Sequence, residues 1–464
     1  MEYVIHISEA SKGMVHVRCY VNGIDQNELV FQLGKKSFRF EGKDDPVITY
    51  EAETISGDSL SVKQIDPHIY QIECMGHKDI LWKYDIQLPE QYVTYMDAFV
   101  TDTYAHIAIP QVFMTLEPVV DSEVYVKFDL PDGWNIVTLW NKEGDKYHPA
   151  NLPALRRGYM ALGDYKSYES KVDDAWIKIA ISKELNCNPM NFFVAVAKLL
   201  QCQAELFQDR VTIDYLIICN SSGSYSSGGS PSRNIVSLAL PINFTDNSLK
   251  KLEAGRLSMI NHELMHTWIK DRPLTSGRFW YTEGFTSYCS FLMVCRAHYI
   301  TEDDAYQKIY DNVYIEYIEN KYTGKSSPEQ VAEKFFFSDH DDAGVYCGDS
   351  GFLFAFLLDI KIRYATQNLI SLDHLMRELR RQFGVSDQGW TYNDLNRITY
   401  NLASIDVLPL IERYIEGTQI FPIADMLNEI GLEICKTKDG VKVIESRKAT
   451  KLAKSIRHGI CNNN

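Results

Sequence analysis

The stretch Asn261-His262-Glu263-Leu264-Met265-His266-Thr267-Trp268 decides how the rest of this sequence is interpreted. Residues i and i+4 of an α-helix lie on the same face, so His262 and His266 can offer two imidazoles to one cation. Glu263 projects about 100° away from His262, close enough to contact a metal-bound water but poorly placed to be a ligand. The stretch therefore predicts a helix that carries two metal ligands and one acid–base residue.

A tetrahedral catalytic zinc site needs a third protein ligand and one open position. Glu283, in Trp280-Tyr281-Thr282-Glu283-Gly284-Phe285, is the candidate, since residues 271–277 contain Pro and Gly and are typical of a loop. Helical spacing of apolar residues predicts a second helix over 281–299 with Thr282 as its N-cap, which puts Glu283 in the first turn. We predict one Zn²⁺ bound by His262, His266 and Glu283.

The remaining histidines show no ligand spacing among the 12 in the chain. We expect each of them to be a structural or surface residue: His6, His16, His68, His77, His106, His148, His298, His340, His374 and His458.

Composition limits the class of protein. At 464 residues the chain is too long for one ordinary core, so two or three domains are expected. A hydrophobic fraction of 45% and a charged fraction of 23% are typical of a soluble globular protein. The net charge of −15 argues against nucleic acid or an anionic membrane as the main partner, because both need a basic face. Peptides or small molecules are the favoured partners.

The sequence predicts no membrane span, since it contains no run of 18 apolar residues. Its start has neither a basic nor an apolar leader region, so we expect a cytoplasmic location for the chain as given; a removed export signal would leave the same picture. The ten cysteines include no Cys-x-x-Cys pair and no dense framework, which favours free thiols.

Three domains and a tail are predicted. Residues 1–170 alternate apolar and polar positions in short runs, typical of an antiparallel β domain with one solvent-exposed face. Residues 171–299 follow the order helix, strand, loop, strand, helix and contain the metal site, residues 300–435 are helical, and residues 436–464 form a short tail. Residues 432–444, with Asp439-Gly440 in the middle, predict a hairpin. Residues 446–464 are basic and are predicted to be mobile or weakly helical. The strands predicted in the first domain are 14–21, 59–65, 80–88 and 123–130.

A polar loop over residues 220–232 and a strand over 235–240 precede the metal helix. In zinc peptidases an extended substrate can add itself as a strand at such a place. The alternative is a flexible surface loop.

His262-Glu-Leu-Met-His-Thr-Trp268 with Glu283-Gly-Phe-Thr-Ser-Tyr288 resembles the gluzincin metallopeptidases, most closely the glycyl aminopeptidase family. Gly228-Gly229-Ser230-Pro231 falls where that family has its Gly-Gly-x-Glu-His substrate motif, and residues 346–363 are similar to the segment with its catalytic tyrosine. The resemblance implies an α+β multidomain fold with an N-terminal antiparallel β domain, a thermolysin-like zinc catalytic domain and a C-terminal helical domain. It also implies peptide substrates that contact Gly228 and Gly229, and an oxyanion donor at Tyr346.

The chain departs from that family at several points. Pro231 stands where the family has the carboxylate that anchors a free amino terminus, and the tail after Leu432 is too short for the PDZ domain that family members often carry. The family's spacing from tyrosine to glycine is also shorter than that from Tyr346 to Gly351. We therefore expect weak activity on free-amine substrates, with four acidic residues as candidate replacements for the carboxylate: Asp339, Asp341, Asp342 and Asp349.

Three functions remain open at this point. The first is a zinc peptidase in which Glu263 acts as general base and then as general acid. The second is a peptide-binding protein that keeps the fold with weak or lost catalysis, which the missing carboxylate favours. The third is a zinc hydrolase that cleaves internal bonds or N-blocked peptides. Glu263 favours an enzyme, because a purely structural metal site has no use for it.

Overall fold

The computed structural model describes residues 1–8, 12–34, 47–118, 122–223, 228–251, 254–269, 279–337, 340–384, 389–438 and 440–462. The chain divides into two compact units, the first formed by Met1–Val194 with Thr212–Asp246 and the second by Ala195–Val211 with Asn247–Asn464. The first unit is rich in β-strands and the second is mainly helical, as the α+β prediction requires. The predicted domain boundaries stay predictions; residue 170 lies inside a strand.

Three sheets occupy the start of the first unit within these described ranges. Their strand orders are β14-β15-β12-β1-β2-β8-β4-β5, β13-β16-β10-β9 and β11-β3-β7-β6. The strands are β1 (Glu2–His6), β2 (Met14–Val21), β3 (Glu28–Gln32), β4 (Val47–Thr54), β5 (Ser59–Leu60), β6 (Val62–Asp66), β7 (Ile69–Glu73), β8 (Ile80–Gln87), β9 (Phe99–Val100), β10 (Tyr104–Ala108), β11 (Thr115–Glu117), β12 (Tyr125–Asp129), β13 (Asn135–Val137), β14 (Asn141–Glu143), β15 (Lys146–His148) and β16 (Tyr159–Gly163). Among the described residues, the 3₁₀ turns Ile109–Gln111 and Leu152–Arg156 interrupt these strands.

The alternation of side chains in β2 shows why this part forms a sheet. Val15, Val17 and Cys19 are buried, whereas His16 lies between them on the other, partly exposed face. The predicted antiparallel arrangement needs one correction: β1 pairs in parallel with β12. More than a hundred residues separate these strands, so the chain can return in the same direction, which a short hairpin does not allow. The predicted strand 59–65 is divided between β5 and β6, which belong to different sheets.

A five-stranded mixed sheet forms the last part of the first unit, with the strand order β17-β18-β19-β21-β20. Its strands are β17 (Tyr165–Val172), β18 (Ala175–Ser182), β19 (Tyr215–Ser221), β20 (Gly228–Ser232) and β21 (Ile235–Leu240). All seven residues of β19 are buried, as a central parallel strand requires. The end of the predicted 220–232 loop is in fact β20, which pairs antiparallel with β21.

The helices of the described chain are α1 (Pro189–Phe207), α2 (Asp246–Lys251), α3 (Ala254–Met265), α4 (Phe279–Arg296), α5 (Glu302–Lys308), α6 (Ile315–Glu319), α7 (Pro328–Phe337), α8 (His340–Ala365), α9 (Leu372–Phe383), α10 (Tyr392–Ala403), α11 (Leu408–Tyr414), α12 (Ile423–Glu429) and α13 (Lys451–Asn462). A π-helical stretch, Ile309–Tyr314, joins α5 to α6. The Thr301 side chain caps α5 by accepting from the Asp304 amide. A hairpin of β22 (Leu432–Thr437) and β23 (Gly440–Glu445) lies before α13.

The tail is more ordered than the sequence predicts. Residues 451–462 form α13, in which Ala453, Ile456 and Ile460 are buried. Arg457 on the same helix donates to Glu302 (2.8 Å) and Glu445 (2.7 Å). Of the two predicted alternatives, a mobile or a weakly helical tail, the structure has the helix, because the three apolar residues recur at helical spacing and pack as one stripe. The final two asparagines lie outside the described residues.

Two further observations concern the cysteines and one long apolar helix. All ten cysteines are free thiols, as predicted. Within the described residues one helical segment, Asp341–Ala365, is long and apolar enough to cross a membrane, with a mean hydropathy of 1.4. Because 78% of that window is buried inside the protein, the helix fits a core position, and its length and composition are weak support for a span.

Helices α4 and α8 meet through their backbones. A Cβ atom placed on Gly351 would lie 1.7 Å from the Trp280 carbonyl oxygen, and one on Gly284 would lie 2.3 Å from the Gly351 Cα. Two glycines therefore set the distance between these helices. Since Gly284 follows Glu283 directly in the sequence, this contact also fixes where that carboxylate stands.

Candidate metal centre

Helix α3 presents both histidines from one face. α3 ends at Met265, and the His266 amide still bonds the His262 carbonyl oxygen at 3.3 Å, so the i,i+4 relation is kept in the final turn. Asn261 anchors the helix: its side chain accepts from Gln203 at 2.6 Å and donates to the Ser290 carbonyl oxygen at 2.8 Å. These buried bonds tie α3 to α1 and α4.

Helix α4 supplies Glu283 as predicted, with one difference in the helix start. α4 is described from Phe279, and the Thr282 hydroxyl donates to the Phe279 carbonyl oxygen at 3.4 Å. Thr282 is therefore inside the helix and is not its N-cap, and Glu283 stands in the second turn of the described helix. The predicted loop over residues 271–277 lies outside the described residues.

The three predicted ligands converge. The Nε2 atoms of His262 and His266 are 3.0 Å apart, and Glu283 Oε2 lies 3.0 Å from His262 Nε2 and 3.6 Å from His266 Nε2. Four ligands placed at 2.0–2.1 Å around a tetrahedral zinc are separated by about 3.3 Å. Two imidazoles and one carboxylate at this spacing fit a zinc ion with an open position. A search of the described residues for three or more His, Cys, Asp or Glu ligand atoms within 4.8 Å of one another finds this group.

Ser287 is a residue of the site that the sequence analysis missed. Its Oγ lies 3.0 Å from His262 Nδ1, so a proton on Nδ1 can be donated to the hydroxyl while Nε2 keeps its lone pair for a metal. Ser287 and Glu283 are four residues apart on α4 and so address the two nitrogens of one imidazole from the same helix face. That i+4 spacing is the signal that could have found it.

The two carboxylates have opposite electrostatic environments. Burial raises the pKa of Glu263 to about 7; His262 lowers it and Glu283 raises it further. For Glu283, burial also acts to raise the pKa, but the charge of His266 and hydrogen bonds from both histidines outweigh it and hold the pKa well below its usual range. The two carboxylates therefore differ, because the histidines keep Glu283 ionised whereas burial raises the pKa of Glu263 towards neutrality.

Tyr346 is not brought to this cluster by any described contact. Its hydroxyl donates to the Ser326 carbonyl oxygen at 2.6 Å, and its ring stacks on Tyr317 at 5.9 Å with 8° between the planes. Tyr346 lies five residues before Gly351, about 140° around α8 from the glycine that contacts α4. This geometry favours packing over oxyanion stabilisation.

The substrate residues inferred from the resemblance are placed on a different unit. Gly228 and Gly229 lie in β20 of the first unit, and their contact with substrate stays a prediction.

Of the acidic residues proposed to replace the missing carboxylate, Asp342 pairs with Lys321 at 2.7 Å. Burial raises the pKa of Asp349 well above its usual range, which disfavours a charged amine anchor. Asp341 stands in the first turn of α8, and Asp339 lies outside the described residues.

The chain is similar to known peptidases in part of its sequence and in its fold. Residues 2–156 match the model of the peptidase M61 N-terminal domain. Among curated proteins no sequence matches. The structure is similar to an aminopeptidase N family protein from Idiomarina loihiensis, with a TM-score of 0.81, 18% identity, and coverage of 94% of this chain and 79% of that one.

Two further solved structures are similar at lower scores. An M1 zinc metallopeptidase mutant from Deinococcus radiodurans, bound to a Tyr-Ser-Ala substrate, has a TM-score of 0.54 and 12% identity, with coverage of 91% of this chain and 95% of that one. Leukotriene A4 hydrolase from Saccharomyces cerevisiae has a TM-score of 0.51 and 13% identity, with coverage of 92% and 69%. At these identities the likeness concerns the fold alone. The chain thus combines a segment similar to the M61 peptidase N-terminal domain with a fold like that of M1 metallopeptidases.

Proposed function

We propose that this protein is a zinc-dependent peptidase of the gluzincin type. The observation that carries the proposal is the cluster of His262, His266 and Glu283, whose ligand atoms all lie within 4.8 Å of one another. The buried Glu263 lies next to His262 on α3. A structural zinc site is usually closed by four protein ligands, whereas a catalytic one has three and an open position. A buried glutamate with a pKa near neutrality beside them is what acid–base catalysis requires.

A zinc ion held by these ligands supplies a Lewis acid for the peptide carbonyl and for the attacking water. Glu263 accepts the proton of that water and afterwards donates it to the leaving amine. Glu283 stays ionised and completes the ligand set, and Ser287 holds His262 in the tautomer whose Nε2 is free. Ser287 therefore belongs to the positioning residues of the site.

A second candidate is a peptide-binding protein with weak catalysis. Its support is the Tyr346 hydroxyl, which is occupied by the Ser326 carbonyl, together with Pro231 at the position of the expected carboxylate. Loss of one oxyanion donor lowers a rate by roughly 10² to 10³-fold. Pro231 at the position of the amine-anchoring carboxylate points to substrates without a free amino terminus.

The test combines metal content with hydrolysis of a peptide library whose members carry free or acetylated amino termini. We expect cleavage that Glu263→Gln lowers by about 10² to 10⁴-fold while the zinc content stays at the parent value. Glu319→Gln, an exposed glutamate of the same unit, is the matched control and should keep the parent rate. Hydrolysis by Glu263→Gln at the parent rate would refute the mechanism, and peptide binding without cleavage by the parent would support the second candidate.

The amino-terminal comparison addresses substrate choice. We expect a free amine to be preferred by less than about a hundredfold over its acetylated counterpart, because a single charge-assisted hydrogen bond contributes roughly 1.5 to 3 kcal/mol. A larger preference would show that another acidic residue replaces the carboxylate missing at Pro231.

A further inference from the structure

A row of polar side chains crosses the partly exposed face of the eight-stranded sheet in the first unit. The residues lie on five adjacent strands in the order Asp129 (β12), His6 (β1), His16 (β2), Asp85 (β8) and Thr49 (β4), and each is the register partner of the next. We call these five residues the histidine row. Register partners in a sheet have neighbouring side chains on one face, so the row is a consequence of strand pairing.

Hydrogen bonds to the aspartates on the two flanking strands, β12 and β8, orient the histidines of the row. His6 Nδ1 lies 2.7 Å from Asp129 Oδ2, and His16 Nδ1 lies 2.7 Å from Asp85 Oδ1. The Thr49 hydroxyl donates to the second oxygen of Asp85 at 2.6 Å, which holds that carboxylate in place. With Nδ1–H donated to a carboxylate, each imidazole carries its free lone pair on Nε2.

This is the arrangement that metal-binding histidines adopt, since their other ring nitrogen almost always donates to a carboxylate or carbonyl. The two Nδ1 atoms are held by carboxylates of the outer strands β12 and β8, so these hydrogen bonds leave both Nε2 atoms unused. The ring centroids are 5.6 Å apart. Two imidazoles that share a tetrahedral zinc at 2.0–2.1 Å have centroids about 5 Å apart.

The surroundings of the row carry a small excess of negative charge. A cavity of about 610 Å³ lies over it, and the charged residues that line the cavity besides the histidines are Asp129, Asp85, Glu51, Lys83 and Arg18. Lys83 is already paired with Glu51 at 3.1 Å and Glu53 at 2.8 Å. His6 and His16 are 44% and 42% exposed, so an ion can reach them from solvent.

We propose that the histidine row binds a second divalent transition-metal ion, with His6 and His16 as its protein ligands and water in the remaining positions. Imidazole ligands suit zinc, copper and nickel and do not suit calcium or magnesium. Because two protein ligands hold the ion, it exchanges more readily than an ion held by the three ligands of the candidate metal centre. The proposal does not rest on the peptidase activity, since every residue of the row belongs to the first unit.

The experiment is a titration of the full chain with Zn²⁺ alone, monitored by competition with a chromophoric chelator after one equivalent of zinc has been added. We expect a further equivalent to bind, and expect His6→Ala and His16→Ala each to lose it. His77→Ala is the matched control, because His77 is an exposed histidine of the same unit with no place in the row. That variant should bind zinc as the parent does.

Two variants keep both imidazoles and remove only the orienting carboxylates. Asp85→Asn and Asp129→Asn should weaken the further equivalent by about 10- to 100-fold, the usual loss when the hydrogen-bond partner of a liganding histidine is changed. If an alanine variant unfolds at a lower temperature than the parent, these two variants provide the test instead. Equal zinc binding by the parent and by the His6→Ala/His16→Ala double variant would overturn the proposal. The test counts only the zinc that is lost when His6 and His16 are replaced. Failure of the candidate metal centre to bind zinc would lower the total zinc bound without changing that difference.

Discussion

The candidate metal centre and the histidine row bring two imidazoles together by different means. In the helical unit, His262 and His266 are four residues apart and share a helix face, with ring centroids 4.6 Å apart. In the β-rich unit, His6 and His16 are register partners on neighbouring strands, and the carboxylates that orient them come from residues 85 and 129. A helix encodes a ligand pair in its local spacing, whereas a sheet creates one through strand pairing. The carboxylates that orient His6 and His16 lie 123 and 69 residues away from them in the sequence.

The orienting groups differ in the same way. Ser287 addresses His262 from the helix that also provides the third ligand, so one element supplies both functions. Each histidine of the row has its own aspartate from a separate strand. The three ligands of the metal centre can therefore be recognised as a motif, while those of the row become visible only once the register is known.

The strongest test removes one ligand of the metal centre. His266→Ala should abolish peptide hydrolysis and release the tightly held zinc, because two remaining ligands leave the ion without its fixed geometry. His77→Ala, in the β-rich unit, should change neither property. Elemental analysis and a hydrolysis assay measure both. Full activity in His266→Ala would separate catalysis from this cluster.

The next test moves the helix that carries the third ligand. Gly351→Ala should destabilise the protein by about 3 kcal/mol or lose the folded state, because the new Cβ would lie 1.7 Å from the Trp280 carbonyl oxygen. Gly348→Ala, three residues earlier on α8, is the matched control: its Cβ meets nothing within 4 Å. That control should be neutral or more stable by about 0.5–1 kcal/mol, since alanine favours a helix over glycine. Denaturant unfolding of both variants checks the difference, and equal stabilities would contradict the close helix crossing.

Ser287→Ala tests the orientation of His262 inside the metal centre. We expect zinc affinity to fall about 10- to 100-fold, because the hydroxyl that fixes the imidazole is lost. Ser287→Thr keeps a hydroxyl and should recover much of that affinity. Competition with a chelator provides the measurement, which does not depend on turnover. An unchanged affinity in Ser287→Ala would show that α3 alone orients His262.

The smallest effect is expected from Tyr346→Phe. The variant loses the bond to the Ser326 carbonyl oxygen, so the free energy of unfolding should fall by about 1 kcal/mol while the maximal hydrolysis rate stays near that of the parent. Thermal unfolding and steady-state kinetics measure the two quantities. A rate loss of about 10² to 10³-fold with unchanged substrate affinity would restore the oxyanion role inferred from the resemblance.

Much of the helical site could be predicted because its information is local. The spacing of His262, Glu263 and His266 specifies one helix, and apolar spacing places Glu283 on the next. The start of α4 was predicted two residues late, since Phe279 and Trp280 do not show a capping signal that marks the boundary. Asp349 shows the limit of such inference. The sequence identifies it as an acidic residue, but only the structure shows that it is buried and that burial raises its pKa.

Local sequence patterns were enough to predict the grouping of His262, His266 and Glu283 and the α+β composition, because helical periodicity and alternating strands are properties of neighbouring residues. Cysteine spacing was enough to predict the free thiols. Tertiary structure decided the parallel pairing of β1 with β12, the backbone contact of Gly284 with Gly351, the turning of Tyr346 towards Ser326 and the assembly of the histidine row. Each of these depends on residues distant in the chain, whose approach is selected by the packing of whole elements and leaves no spacing in the sequence.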